Sequence, residues 1–210
     1  MRVEIIDITD RSGSMQDIRN DIIGGFNALI EDQKKLPGEA RLTYVQFDHE
    51  YHLQYAAKNI QTVEPLTLDG YIPTGTTALL DGIGRTLDEQ GKRIAAEKWA
   101  DKVIVCIRTD GFENASRDYK LDRVKEMIKH AQEHGWTFIF SGADIDAFAA
   151  GANLGISGQH TRGYSKSDPL GTTQSYAFAS STIADFRTGI APKTCSDAKV
   201  NVEIKTKVSL

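Results

Sequence analysis

The feature that most constrains the fold is the alternation, along the chain, of strand-length apolar runs with longer stretches of helical period. Lys102 to Thr109 (KVIVCIRT) has a continuous apolar centre, which is typical of a strand buried on both faces. Ile18 to Ile30 instead carries apolar residues at spacings of three and four, the stripe of an amphipathic helix. Strands separated by helices predict an α/β domain with a mostly parallel sheet that is covered on both faces.

The predicted order has six strands and five helices. The strands are expected at residues 2–9, 40–47, 51–55, 102–109, 136–140 and 160–164, and the helices at about 18–30, 77–99, 121–131, 144–154 and 172–187. Only three residues separate the second strand from the third, a gap that permits only an antiparallel hairpin. We therefore expect a Rossmann-like, doubly wound six-stranded sheet in the order 3-2-1-4-5-6, with one antiparallel edge strand and helices on both faces.

Length and composition favour one domain. A chain of 210 residues can bury one substantial core, and no internal repeat or change in composition marks a second domain. We predict a single domain over residues 1–190. Residues 191–210 are expected to form a C-terminal tail or an added edge strand, because residues 200–208 alternate apolar and polar side chains.

The charge pattern and the cysteine content exclude several classes of function. The net charge of −4 and the lack of any Lys/Arg-rich run argue against nucleic-acid and membrane-surface partners. No stretch approaches the roughly 20 apolar residues of a membrane span, and the N-terminus lacks the apolar core of a signal peptide. Two cysteines are too few for a disulfide framework. We expect a cytoplasmic protein, and the sequence leaves its oligomeric state open.

Three polar segments follow strands or precede helices. The first is Asp10-Arg11-Ser12-Gly13-Ser14, a D-x-S-x-S run after the first strand. Residues two apart in an extended loop point the same way, so one carboxylate and two hydroxyls can converge. These hard oxygens suit Mg²⁺ or Mn²⁺ far better than zinc.

The other two segments supply further oxygens. A Gly-containing loop leads into the second helix and offers a threonine hydroxyl, from Thr76 or Thr77, while Asp110 follows the fourth strand. In the strand order 3-2-1-4-5-6 the first and fourth strands lie side by side where the order reverses, and ligands bind outside the carboxyl ends of strands at such a point. Asp10 and Asp110 would then face each other across one crevice.

In these residues the chain resembles a von Willebrand factor A domain, whose metal-ion-dependent adhesion site is built from D-x-S-x-S, a distant threonine and a distant aspartate. The resemblance covers roughly residues 2–189 and implies five metal ligands: Asp10, Ser12, Ser14, Thr77 and Asp110. More narrowly, D-R-S-G-S-M, P-T-G-T-T-A-L-L-D and T-D-G-x-E-N-A-S resemble small stand-alone members encoded by bacteria and their phages.

The resemblance implies a binding module and no enzyme. It implies one bound Mg²⁺, with Mn²⁺ or Ca²⁺ as alternatives. If two carboxylates and three neutral hydroxyls surround the ion, it keeps much of its electrophilicity. An Asp or Glu of a partner protein can then replace a metal-bound water and complete the charge balance.

Simpler structural roles for the same residues stay open. Asp10 and Ser12 suit a turn that caps the next helix, Thr77 suits a helix N-cap, and Asp110 suits a turn before glycine. Arg11 is either a surface charge or a contact for an acidic ligand. We expect Glu113 and Asn114 to cap or shape the loop around the site. His130 and His134 lie four apart without an H-E-x-x-H pattern, which favours a solvated helix face.

Other functions are weighed against the same residues. A Mg²⁺-dependent phosphatase or phosphotransferase of the haloacid dehalogenase type needs D-x-D, but residue 12 is serine, and Asp7 falls on the opposite strand face from Asp10. An interaction subunit of an AAA+ ATPase or chelatase-like assembly is a version of the main hypothesis with its partner specified. A metal-free scaffold is the last alternative. No P-loop and no nucleophile elbow occurs.

Overall fold

The structure is a computed structural model that describes residues 1–111 and 113–189. Six strands form one sheet: β1 (Arg2–Asp10), β2 (Glu39–Phe47), β3 (Tyr51–Asn59), β4 (Lys102–Thr109), β5 (Trp136–Ala143) and β6 (Thr161–Tyr164). The α-helices are α1 (Arg19–Lys34), α2 (Leu79–Glu97), α3 (Leu121–Glu133), α4 (Ala147–Asn153) and α5 (Gly171–Thr188). The predicted tail at residues 191–210 lies outside the described residues.

The sheet has the strand order β3-β2-β1-β4-β5-β6, which confirms the predicted order. Only the β2–β3 pair is antiparallel, as the three-residue gap between these strands requires, and the other pairs are parallel. The strand order reverses between β1 and β4. The crevice that this reversal opens lies at the carboxyl ends of those two strands.

Two hydrophobic cores cover the faces of the sheet. On one face, residues such as Ile5 and Cys106 of the sheet pack against Phe26 of α1 and Ile183 of α5. On the other face, α2, α3 and α4 cover a second set of apolar strand residues. Because both faces are buried, the central strands carry the continuous apolar runs seen in the sequence. Within residues 1–111 and 113–189, no helix has the length and apolar character needed to cross a membrane.

Several element boundaries near the crevice differ from the predicted ones. α2 begins at Leu79 instead of about Thr77, and β5 extends to Ala143 instead of Phe140. β1 continues through Asp10, so this carboxylate ends the strand instead of beginning the turn. The helix predicted to begin at Asp144 begins at Ala147. Asp144 adopts a left-handed backbone conformation (φ 51°), and the Asp146 side chain caps the helix by accepting a hydrogen bond from the Ala149 amide at 3.0 Å.

Candidate metal site

The two candidate carboxylates lie at neighbouring strand ends. Asp10 ends β1 and Asp110 follows β4, and the parallel register pairs Thr9 with Arg108. Asp10 therefore lies beside Thr109, whose hydroxyl donates a 2.6 Å hydrogen bond to Asp10 Oδ2. The strand order places both aspartates at one crevice, as the sequence predicted.

The loop after β1 joins the two carboxylates through hydroxyl groups. Asp10 Oδ1 accepts a hydrogen bond from the Ser12 amide at 2.7 Å, which folds the loop back on the strand end. The hydroxyls of Ser12 and Ser14 are 3.2 Å apart, and Ser14 donates to Asp110 Oδ1 at 2.7 Å. Ser12 makes no side-chain capping bond to the following 3₁₀ turn, so the helix-capping interpretation of this serine is wrong.

Thr77 reaches the same place from the loop before α2. A Cβ added at Gly111, next to Asp110, would meet Thr77 Oγ1 at 3.0 Å, so the threonine hydroxyl lies against this segment. Thr77 is buried, while Thr76 is exposed. The N-cap of α2 is Ala78, so Thr77 does not cap this helix.

Glu113 and Asn114 hold the loop that carries Asp110 against the start of α2. Asn114 exchanges two hydrogen bonds of 3.1 Å with the Thr77 backbone, one through its amide and one through its side-chain oxygen. Glu113 accepts a bond from the Leu80 amide at 2.8 Å. The expectation that these residues shape and cap the loop is confirmed.

Asp10 is buried without a cation beside it. Its exposed fraction is 0%, and burial raises its pKa to about 6, although hydrogen bonds from Thr109 and Ser12 act in the opposite direction. Among residues 1–111 and 113–189, no Lys, Arg or His side chain forms an ion pair with Asp10. Its partners are neutral donors, and they do not balance its charge when it is ionised.

Tyr71 supports the strand end from below. Its buried hydroxyl donates a 2.6 Å hydrogen bond to the Asp10 carbonyl. The sequence analysis missed this contact, since a lone tyrosine in a loop carries no pattern that predicts a partner 61 residues away.

Lys166 is a site residue that the sequence analysis also missed. Its ammonium group lies 2.8 Å from Asp110 Oδ2 and 3.5 Å from the Ser14 carbonyl oxygen. Burial alone would lower the pKa of Lys166, but the hydrogen bond and charge of Asp110 outweigh it and raise that pKa above its usual value. No motif marks this lysine, which lies in a polar loop 56 residues beyond its partner.

Arg11 and Asp7 each pair with an oppositely charged side chain of the same chain. Arg11 Nε lies 2.9 Å from Asp48 Oδ2, so this arginine pairs with a buried carboxylate of its own chain. Asp7 lies on the α1/α5 side of the sheet, where its Oδ2 accepts a 2.5 Å bond from Arg108. Asp7 is therefore committed to a core ion pair and supplies no second carboxylate beside Asp10.

The histidines on α3 form no metal site. Both His130 and His134 are exposed, as expected of a solvated helix face, and their rings are tilted by 52° with centroids 4.3 Å apart. In the part of the chain that the structure describes, no three His, Cys, Asp or Glu side chains come together as a metal-binding group.

The crevice does fit a hard divalent cation on the chemistry of its donors. The oxygen-bearing side chains converge from β1, the loop before α2 and the segment after β4, and hydroxyls make up the larger share of them. Two carboxylates with hydroxyl donors match Mg²⁺ or Mn²⁺, and no nitrogen or sulfur donor that zinc prefers is present in this set.

The fold is that of von Willebrand factor A domains. The von Willebrand factor domain of the type V pili tip protein Mfa5 from Porphyromonas gingivalis superimposes with a TM-score of 0.68 at 13% identity, over 93% of this chain and 98% of that chain. A von Willebrand factor type A protein from Catenulispora acidiphila gives a TM-score of 0.62 at 16% identity, over 86% of this chain and 42% of that chain.

Proximal thread matrix protein 1 from the mussel byssus, in a structure with a zinc-occupied MIDAS motif, gives a TM-score of 0.61 at 17% identity. This match covers 85% of the present chain and 46% of the mussel chain, so the chain spans about half the length of that protein. No protein-family model matches the sequence, and no curated protein matches it. At these identities the likeness defines the fold alone.

Proposed function

We propose that the chain is a metal-ion-dependent protein-interaction module, which binds an Asp or Glu of a partner protein through one divalent cation. The observation that carries this proposal is the meeting of Asp10 and Asp110 at the ends of β1 and β4. Ser12, whose amide binds Asp10, and Ser14, whose hydroxyl binds Asp110, connect the two carboxylates. The side chains that would hold the ion are Asp10, Ser12, Ser14, Thr77 and Asp110.

The charge of this donor set favours an anionic ligand. Two carboxylates can balance a dication formally, and the proposed ligands include no third anionic group. The three hydroxyls donate electron density weakly and add no charge. Mg²⁺ retains waters at positions that the protein leaves unfilled. A carboxylate of a partner would exchange with such a water, whereas a neutral amide would gain much less.

The structural neighbours support the metal and the protein partner. One of them holds zinc in its MIDAS motif. Another is the tip protein of a pilus, and a third is the pilus adhesin SpaC from Lactobacillus rhamnosus GG, which superimposes with a TM-score of 0.68 at 12% identity over 88% of this chain. We propose Mg²⁺ for the present chain because hydroxyl and carboxylate oxygens favour it over zinc.

We further propose that the chain is not an enzyme. Asp10 is the one carboxylate of the D-x-S-x-S run, and Ser12 stands where a phosphatase of the haloacid dehalogenase type needs a second. Asp7 is bound to Arg108. A cytoplasmic location and a bacterial or phage origin stay predictions from the sequence.

Mn²⁺ provides a direct test, because waters on the bound ion relax solvent protons. The protein would be loaded with Mn²⁺ and titrated with a peptide that carries one glutamate, at millimolar concentration. We expect the relaxation enhancement to fall as the carboxylate displaces a water. The matched peptide with glutamine should leave it unchanged, and Asp10→Ala should show no enhancement at all.

Two outcomes would contradict the proposal. Equal responses to the glutamate and glutamine peptides would show that the bound ion does not select an acidic side chain. Hydrolysis of a phosphate ester such as p-nitrophenyl phosphate, lost in Asp10→Ala, would favour an enzyme instead.

A further inference from the structure

Both carboxylate oxygens of Asp110 are engaged by groups of the chain itself. Oδ1 accepts a hydrogen bond from the Ser14 hydroxyl at 2.7 Å, and Oδ2 accepts one from the Lys166 ammonium at 2.8 Å. The Asp110 side chain is fully buried, and that of Lys166 is one-fifth exposed. A monovalent cation of the protein thus lies on a carboxylate that we assign to the divalent cation.

The loop that carries Lys166 is held in place at its base. Asp144, at the end of β5, accepts hydrogen bonds from the Ser165 hydroxyl at 2.7 Å and from the Lys166 amide at 3.1 Å. The Asp144 amide in turn donates to the Tyr164 carbonyl at 2.9 Å. The left-handed conformation of Asp144 turns its carboxylate toward this loop. The lysine therefore projects from an anchored turn toward the crevice.

We propose that Lys166 is a tethered competitor of the divalent cation: its ammonium group holds Asp110 in the metal-free protein and must leave that carboxylate before the ion is bound. This inference rests on the proposed function and adds to it a control of metal affinity by the chain itself.

The physical reason is the repulsion between two cations at one carboxylate. An ammonium within hydrogen-bonding distance of Asp110 would lie only a few ångströms from a dication on the same oxygens. At partly buried sites the repulsion between charges at such a separation is large enough to change affinity by an order of magnitude or more. If the lysine stays, this repulsion weakens metal binding. If the lysine swings into solvent, the repulsion is relieved but the ion pair with Asp110 is lost, and this loss also lowers metal affinity.

The test compares two variants that each remove one positive charge. Lys166→Gln removes the competitor, and Lys129→Gln removes an exposed lysine of α3 as the matched control. Titration calorimetry of the chelator-treated proteins with Mg²⁺ and with Mn²⁺ should show about tenfold tighter binding by Lys166→Gln. Lys129→Gln should bind like the wild type. Equal or weaker binding by Lys166→Gln would overturn the proposal.

A second measurement checks the ion pair without metal. Urea unfolding of the wild type, Lys166→Gln, Asp110→Asn and the double variant, all in chelator, should show that the two single changes are not additive. Additivity would overturn the proposal, because the two side chains would then not interact.

The two proposals fail in different ways. If the wild type binds metal and Asp10→Ala does not, while Lys166→Gln changes nothing, the competitor is wrong and the metal site stands. If neither the wild type nor any variant binds metal, both proposals are wrong.

Discussion

Two aspartates on one strand have opposite surroundings. Asp7 and Asp10 both belong to β1, and both have an exposed fraction of 0%. Asp7 accepts a 2.5 Å bond from Arg108 and a 2.7 Å bond from the Thr9 hydroxyl, and the guanidinium carbon of Arg108 lies 3.9 Å from the centroid of the Tyr176 ring. Among residues 1–111 and 113–189, Asp10 has no such cation and meets only neutral donors.

The difference separates a charge compensated within the core from one that, in the function we propose, a bound metal ion would compensate. A buried carboxylate is stable when a fixed cation and hydrogen bonds compensate it, as at Asp7. At Asp10 hydrogen bonds hold the carboxylate in place but leave its charge for an exchangeable partner. Asp110 is intermediate, since Lys166 compensates it with a side chain that is one-fifth exposed. The cation is fixed in the core and replaceable at the crevice.

The largest expected effect concerns the fixed pair. Arg108→Met leaves the Asp7 carboxylate buried without its cation, and breaking a buried pair in this way costs about 3–5 kcal/mol of unfolding free energy. Urea unfolding in chelator would measure the loss. The double variant Asp7→Asn/Arg108→Met removes both charges and should recover much of it. A loss below 1 kcal/mol in the single variant would show that Asp7 is not compensated as we describe.

Removing the charge of Asp10 should have the opposite effect, an increase in the unfolding free energy of the metal-free protein. Its pKa is raised from 3.8 to about 6, so its protonated form stabilises the fold below pH 3.8 and that contribution is lost as the pH rises through about 6. Asp10→Asn lacks this titration. Its side-chain amide can donate to Thr109, whose hydroxyl can then donate to the Gly111 carbonyl at 3.2 Å.

In chelator, Asp10→Asn should therefore gain stability relative to the wild type as the pH rises from 4 to 8, by about 2–3 kcal/mol. Unfolding curves at several pH values would measure the difference. A constant difference across this range would mean that Asp10 is not held in a raised-pKa environment.

The sequence predicts the positions of Asp10 and Asp110 better than it predicts the basic side chains that pair with the aspartates. The apolar run of β4 and the spacing of helices fix the strand order, and the order brings Asp10 to Asp110. The period of two in D-x-S-x-S is local, and the structure brings Ser12 and Ser14 together accordingly. Local patterns of this kind can be read without knowing the fold.

The cations are different because their contacts are long-range. Arg108 lies inside an otherwise apolar strand, and its partnership with Asp7 depends on the register between β1 and β4. Lys166 depends on the turn at Asp144, whose left-handed backbone also delays the start of α4. Neither the strand register nor the left-handed residue has a signature in this sequence.

Thr77 provides a smaller test of the neutral donors at the crevice. Thr77→Ala removes a buried hydroxyl from the proposed ligands, and we expect metal affinity to fall about tenfold, equivalent to about 1.4 kcal/mol. The matched change Thr76→Ala alters the exposed neighbour and should leave affinity unchanged. Titration calorimetry with Mg²⁺ distinguishes the two. A larger effect from Thr76→Ala would reverse the assignment of the threonine.

The central claim is that Asp10 holds a metal ion and Asp7 does not. The most direct test is titration calorimetry of the chelator-treated protein with Mg²⁺ and Mn²⁺, in which variants of Asp7 and Asp10 are compared. We expect the wild type and Asp7→Asn/Arg108→Met each to bind one ion. We expect Asp10→Ala to bind none while keeping its fold. Binding by Asp10→Ala equal to that of the wild type would contradict it.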